Sequence, residues 1–382
     1  MNDRERYHAT MHYLPRDRCP IMDFGFWDET LVLWPEQGFP KGANPDDFFG
    51  MDRQWIGCGG NMDLCPPFEE KVIEDRGETE IVRQYDGVVV QRRKFMRTIP
   101  HEIDHLLKDR ASWEEHFKPR LKPEDPGRLA QGDAWQKKVA AWTDPKRDYP
   151  LFMGVGSLYG KLRDRMGMVG VSEILYDDRK LFEEMVETQT NIILTVAEKV
   201  LAAGVRPEAA NFWEDMCYNA GPLLSPKHFK EILVPRYKRI TALLNRYGVD
   251  IIFLDSDGDI SKLAGMWLEA GVNTMFPIEV GTWKADPLVY RKQYGKAMRI
   301  MGGFDKRILA QSEDAIRREV DRLAPMVEEG GFIPFCDHRV PPDVPLKNYL
   351  FYLDAAKRVW GRGLGNIRPT GRAIAQPVGA KA

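Results

Sequence analysis

DIIFLDSDGDISKLAGMWLEAGVNTMFPIE, residues 250–279, holds two short β-rich runs, DIIFLDSD (250–257) and NTMFPIE (273–279), with a helix-length segment between them. The alternation extends outward, to LFMGVG (151–156) and AANFWED (209–215) upstream and to MRIMGGFD (298–305) and GFIPFCDH (331–338) downstream. Helical segments fall between these runs. In 178–204 Gly204 suits a C-terminal cap, in 225–248 Ser225 and Pro226 read as N-cap and first helical residue, and in 312–331 Ser312 reads as N-cap. Repeated βα units predict a parallel sheet. With CPIMDFG (19–25) as a further candidate strand, the count approaches the eight of a (β/α)8 TIM barrel. A doubly wound sheet is the alternative, but no Gly-x-Gly-x-x-Gly follows the first strand and no phosphate loop occurs.

The remaining sequence frames this α/β core. Residues 1–70 are rich in aromatics, Gly and Pro and predict an aromatic cap in which Trp27, Trp34 and Trp55 serve either as core or as an apolar pocket wall. ETEIVRQYDGVVVQRRKF (78–95) predicts a β-hairpin about Asp86-Gly87. The charged, Pro-rich stretch 116–148 marks a boundary, giving an N-terminal extension over 1–145, the main part of the barrel over 146–360 and a flexible tail over 361–382.

The 382 residues carry 55 Lys plus Arg, 57 Asp plus Glu and 43% hydrophobic residues, a soluble globular profile that excludes disorder, collagen and coiled coil. A net charge of −2 gives no pull toward nucleic acid or anionic lipid. No run of about eighteen apolar residues and no signal-peptide core occur, so a cytoplasmic protein is expected. The five cysteines are an odd number without a tight pair and are read as reduced thiols.

Five successive strand candidates close on acids: Asp215, Asp255 with Asp257, Glu279, Asp305, and Asp337 beside His338. A βα barrel delivers these residues to one rim, where its active sites are built. Each acid alone could equally cap the following helix, Asp305 in GGFDK above all, but five in series point to a site. Carboxylates at short range cannot all stay ionised without a cation or a shared proton. A divalent metal among Asp255, Asp257 and His338, with Cys336 as a softer candidate, is one answer. A carboxyl acting as general acid is a second, and pairing with Arg339, Lys306 or a cationic substrate a third. The Asp-x-Asp spacing places Asp255 and Asp257 on one side of an extended strand. Pro341 and Pro342 stiffen the loop that carries Asp337, His338 and Arg339. His101 and His105, spaced to share a helix face, read as surface residues, and Cys217 as packing or pocket lining. Ser157 lacks the glycine that a nucleophile elbow requires.

Five segments together, WEDMCYNAGPLLSPKHFKEILVPRYKRI (213–240), FLDSDGDISKL (253–263), AGVNTMFPIE (270–279), YGKAMRIMGGFDKRILA (294–310) and EEGGFIPFCDHRVPPDVPLKNYLFYL (328–353), resemble the uroporphyrinogen decarboxylase superfamily. Within it they look like the corrinoid-linked methyltransferases and their relatives, over about residues 145–360. The resemblance implies a (β/α)8 barrel with its site at the C-terminal rim. Uroporphyrinogen decarboxylases carry an N-terminal Arg-Gln-Ala-Gly-Arg segment whose arginines bind substrate carboxylates, whereas PIMDFGFWDET (20–30) has no arginine. An acid-lined site would repel a porphyrinogen by about 1 kcal/mol or more for each poorly screened like pair. The methyltransferase branch binds zinc through His-x-Cys and a later Cys. Here Asp255 and Asp257 replace the first pair, and His338 or Cys336 the last ligand. Such a set suits departure of an oxygen or nitrogen group better than activation of a thiol.

The expectation is therefore a substrate:corrinoid methyltransferase subunit. It would take a methyl group from a small O- or N-methylated compound, such as a methoxylated aromatic, and pass it to a corrinoid (cobalamin) on a partner protein. Asp215, Asp255, Asp257 and His338 are the expected catalytic residues, and Trp27, Trp34, Glu279, Asp337 and Arg339 the expected substrate contacts. Zinc on Asp255, Asp257, Cys336 and His338 is the candidate metal, and a homodimer the candidate assembly. Decarboxylation of a small acid or porphyrinogen is the alternative, and a corrinoid- or metal-binding regulator a third reading.

Overall fold

The computed structural model describes residues 1–95, 99–281 and 283–361, so the expected tail lies outside the described residues apart from Gly361. Its main sheet has seven parallel strands in sequential order: β1 (Gly57–Cys58), β2 (Phe152–Gly154), β3 (Ala209–Trp213), β4 (Ile252–Asp255), β5 (Thr274–Ile278), β6 (Arg299–Gly302) and β7 (Phe332–Ile333). Strands β2 to β7 are the runs expected from the sequence, each trimmed at one or both ends. Local chemistry accounts for the trimming. Gly302 and Gly303 at φ 86° and 85° turn the chain out of β6, and Pro334 removes the donor that would extend β7.

The expected strand at 19–25 is reduced to a single parallel bridge, Phe26 with Val340. This segment nevertheless bonds to the chain that flanks both edge strands. The Ile21 carbonyl accepts from Asp52 N–H at 2.9 Å, a few residues before β1, and the Gly25 carbonyl accepts from Val340 N–H at 2.9 Å, just beyond β7. Tyr7, Phe152, Phe253, Phe276, Met301 and Phe335 form one buried cluster on the inner side of the sheet. The Trp55 ring, at φ 56°, stands 5.5 Å from Phe152, 5.4 Å from Phe276 and 6.3 Å from Phe335. One ring thus meets β2, β5 and the segment just past β7, so the sheet curls around it.

The covering helices follow apolar spacing. Arg179–Ala202 buries Leu181, Met185, Ile192, Val196 and Val200 on one stripe. Ser312 caps Glu313–Glu329 by accepting from Ala315 N–H, and Ser225 accepts from His228 N–H. In the N-terminal part, Thr79–Arg83 pairs antiparallel with Val88–Arg93 across Asp86-Gly87, within a four-stranded sheet completed by Lys71–Arg76 and His101–His105. His101 and His105 therefore lie on a strand and not on the helix that their spacing suggested. Pairing with Val88–Arg93 overrides the local pattern, and His105 contacts Glu102 at 3.2 Å. Among the described residues no helix is long and apolar enough to cross a membrane.

Candidate active site

The carboxyl ends of β3, β4 and β5 face a cavity of about 440 Å³. Asp215, Asp255, Asp257 and Glu279 form its acidic side, Phe24, Trp27 and Trp213 its aromatic side, and Lys306, His338 and Arg339 complete the charged lining. Strand register explains the convergence. Asp255 pairs with Trp213 on one side and Phe276 on the other, so the three strands end level.

One carboxylate oxygen from each of Asp215, Asp255 and Asp257 lies within 4.8 Å of the other two. Asp257 follows Asp255 by two residues and shares its side of the chain. Asp215 reaches the group from the end of β3 by adopting φ 39°, a left-handed conformation uncommon outside glycine. The Asp257 N–H donates to Asp215 Oδ1 at 3.0 Å, and Arg163 Nη1 donates to the Asp215 carbonyl at 2.5 Å. Asp257 Oδ2 stands 3.3 Å from His338 Nε2, while its Oδ1 is buried without a partner. His338 is fixed by aromatic contacts, edge-on to Phe24 at 5.0 Å and stacked with Trp27 at 5.6 Å. Arg339 covers the same two rings, at 5.5 and 5.6 Å. Glu279 accepts from Gly258 N–H at 3.0 Å and lies 3.5 Å from Lys306 Nζ.

Crowding holds protons on this site. Burial, and then the charges of Asp215 and Asp257, push Asp255 well above the usual carboxylate range, with Arg339 opposing. Burial and Asp257 raise Asp215 to about 6 and Glu279 to about 7. These groups can therefore donate protons near neutral pH. The three aspartates, with the unpartnered Asp257 oxygen, also form a hard-oxygen donor set of the kind that divalent cations accept.

Three expected residues lie elsewhere. Cys336 is fully buried in a bridge with Phe304, because the chain bends between it and His338, so it does not join the donor set. Asp337, also fully buried, accepts from Val280 and Gly281 N–H at 2.8 Å each and from Lys306 N–H at 3.0 Å, tying together the loops after β5, β6 and β7. Trp34 is packed against Phe26, Phe49 and Tyr349 and donates to the Val344 carbonyl at 2.8 Å. Asp305 is a cap, accepting from Arg307 N–H at 3.0 Å. Trp27, Glu279, Arg339 and the four expected catalytic residues do line the cavity.

Sequence reasoning missed Phe24, Trp213 and Glu214. Trp213 could have been found by its two-residue spacing from Asp215, and Phe24 by its place in the candidate strand near residue 22. Glu214 is completely buried and accepts from Ser157 Oγ at 2.9 Å, from the N–H groups of Leu158, Tyr159 and Gly160 at 2.8 to 3.0 Å, and from Tyr237 OH at 2.6 Å. It locks the loop after β2 against the end of β3.

An acidic, aromatic-walled cavity at the carboxyl ends of a parallel sheet defines an α/β enzyme site. A family model described as "Uroporphyrinogen decarboxylase (URO-D)" matches residues 152–359, more than half of the sequence, and the chain belongs to this family. Uroporphyrinogen decarboxylase of Legionella pneumophila is 26% identical over 140 residues, 36% of this chain and 39% of that protein. That of Pelobacter propionicus is 23% identical over 196 residues, 50% of this chain and 53% of the other. That of Syntrophotalea carbinolica is 29% identical over 142 residues, 36% of this chain and 39% of the other. The chain thus spans between 39% and 53% of the length of these relatives. A solved methyltransferase from Methanosarcina mazei shares the fold, with a TM-score of 0.56 and 15% identity over 94% of this chain and 99% of that one.

Proposed function

We propose that this protein is a methyltransferase that removes a methyl group from a small O- or N-methylated compound and delivers it to a corrinoid carried by a partner protein. The sheet is read as a (β/α)8 barrel, with residues 20–27 in the place of the missing strand. One observation carries the chemistry: three carboxylates with oxygens within 4.8 Å of one another face the cavity, and burial and mutual repulsion keep protons among them.

In the transfer, the bond from methyl carbon to oxygen or nitrogen breaks and its electron pair stays on the heteroatom. An aryl oxygen leaves poorly as an anion, so a proton supplied as the bond breaks lowers the barrier. Asp255, driven toward the neutral acid, is the donor. Asp215 and Asp257 hold its pKa up, and His338 orients Asp257 through the 3.3 Å contact. The corrinoid, when bound, supplies the nucleophile that receives the methyl group. A divalent cation would be held by Asp215, Asp255 and Asp257, with Lewis-acid stabilisation of the leaving oxygen as its chemistry. Cys336 would take no part in holding it.

The purified protein, mixed with a reduced corrinoid protein and a panel of methoxylated and N-methylated compounds, is expected to change the corrinoid's visible spectrum with one substrate class. Absence of the change across the panel overturns the reading. The URO-D relatives support a second reading, decarboxylation of a small acid with the same aspartates as proton donors. Release of carbon dioxide without methyl transfer would establish it.

A further inference from the structure

We propose that Arg339 is the anchor for a negatively charged head group, so that the substrate is an O-methylated aromatic carboxylate and not an N-methylated cation. The inference rests on the methyl-transfer reading and narrows it. Three of the four acids lining the cavity have a basic neighbour within 4.0 Å. Asp257 has His338 at 3.3 Å, Glu279 has Lys306 at 3.5 Å, and Asp215 has Arg163 at 4.0 Å. Arg339 has no described carboxylate within 4.0 Å; Nη1 donates to the Phe26 carbonyl at 3.3 Å. Gly25, at φ 116°, would bring a Cβ to 3.8 Å from this nitrogen, so the loop runs close beneath the guanidinium. The rings of Phe24 and Trp27 hold it in place. A guanidinium fixed in this way, with no described carboxylate within 4.0 Å, presents its remaining N–H groups to a carboxylate.

The aromatic side argues against a cationic substrate. Recognition of a methylated ammonium needs open ring faces. Trp27 contacts both Arg339 and His338, Phe24 meets the same two groups, and Trp213 has Lys161 at 5.2 Å and Arg163 at 5.4 Å from its ring. Protein cations thus occupy the places that a methylated ammonium would take. In the proposed mode of binding a planar ring lies in the cavity of about 440 Å³ between the aromatic wall and the aspartates, with its carboxylate on Arg339 and its methoxy oxygen toward Asp255.

The test is binding by calorimetry with the full chain and no corrinoid, so that it stands apart from any failure of methyl transfer. The 2-, 3- and 4-methoxybenzoates are compared with the matching methoxybenzamides and methoxybenzylammonium ions. One benzoate isomer is expected to bind about tenfold or more tighter than its amide. Arg339→Met is expected to abolish the preference and Arg339→Lys to keep part of it, both with wild-type circular dichroism and Tm. Equal binding of acid and amide, no binding of either, tighter binding of the ammonium ion, or a preference that survives in Arg339→Met would each overturn the proposal.

Discussion

Glu214 and Asp215 are adjacent acids at the end of one strand, and their surroundings are opposite. Glu214 is fully buried and receives five hydrogen bonds, whereas Asp215 is bent to φ 39° and gains one side-chain hydrogen bond, from the Asp257 N–H. The contrast recurs across the rim. Asp337 ties three loops together through backbone donors, while Asp255 faces two other carboxylates, and Asp257 keeps a buried oxygen without a partner. A carboxylate supplied with donors is part of the scaffold. One left short of them, where like charges meet, has reactivity available for chemistry.

The largest expected effect separates the two neighbours. Glu214→Ala leaves three N–H groups, the Ser157 hydroxyl and Tyr237 OH without an acceptor and should cost about 3 to 5 kcal/mol in urea unfolding. Asp215→Asn should change stability by about 1 kcal/mol or less and slow methyl transfer about 100-fold. Equal destabilisation by the two substitutions would erase the distinction between scaffold and site.

The second effect concerns pH. Asp255 has a folded pKa raised above its unfolded value. The stability it contributes is therefore present below the unfolded pKa, near 3.8, and is lost as pH rises toward and through the raised folded value. Glu279 acts in the same sense between its ordinary 4.5 and about 7. Asp255→Asn removes a charge that burial opposes, so the variant should be more stable than wild type at pH 8, with no gain at pH 4. Thermal unfolding across that range measures it. A gain that shrinks with rising pH would show that Asp255 is stabilised as an anion and belongs with the scaffold.

This division explains what could be read from the amino-acid order. Strands β2 to β7 were legible because a parallel sheet writes itself as short apolar runs between helices, and their terminal acids follow from the βα repeat. The two-residue β1 was not, since Gly57-Cys58 has no pattern of its own and pairs only because Phe152 and Met153 are already aligned. Period two along the chain placed Asp255 with Asp257. It could not tell that Cys336 is separated from His338 by a bend, or that Asp337 spends its oxygens on backbone N–H groups. Donor supply is a property of loops brought together in space, so Glu214 carried no signal beyond its being out of phase with Asp215.

The smallest effect divides two tryptophans of one aromatic segment. Trp34 is completely buried, and its indole N–H donates to Val344, whereas Trp27 is half-buried with its ring in contact with His338 and Arg339. Trp34→Phe keeps most of the ring packing but leaves the Val344 carbonyl unpaired, so it should cost about 1 to 2 kcal/mol of stability with KM unchanged. Trp27→Ala removes the surface that orients His338 and Arg339 without opening the core, so it should raise KM about 3- to 10-fold. Denaturation and steady-state kinetics on both variants give the two readouts separately. If Trp34→Phe raised KM as much as Trp27→Ala, the aromatic segment would act on the cavity as one unit, and the boundary between scaffold and site would lie beneath Trp34 instead of beneath Trp27.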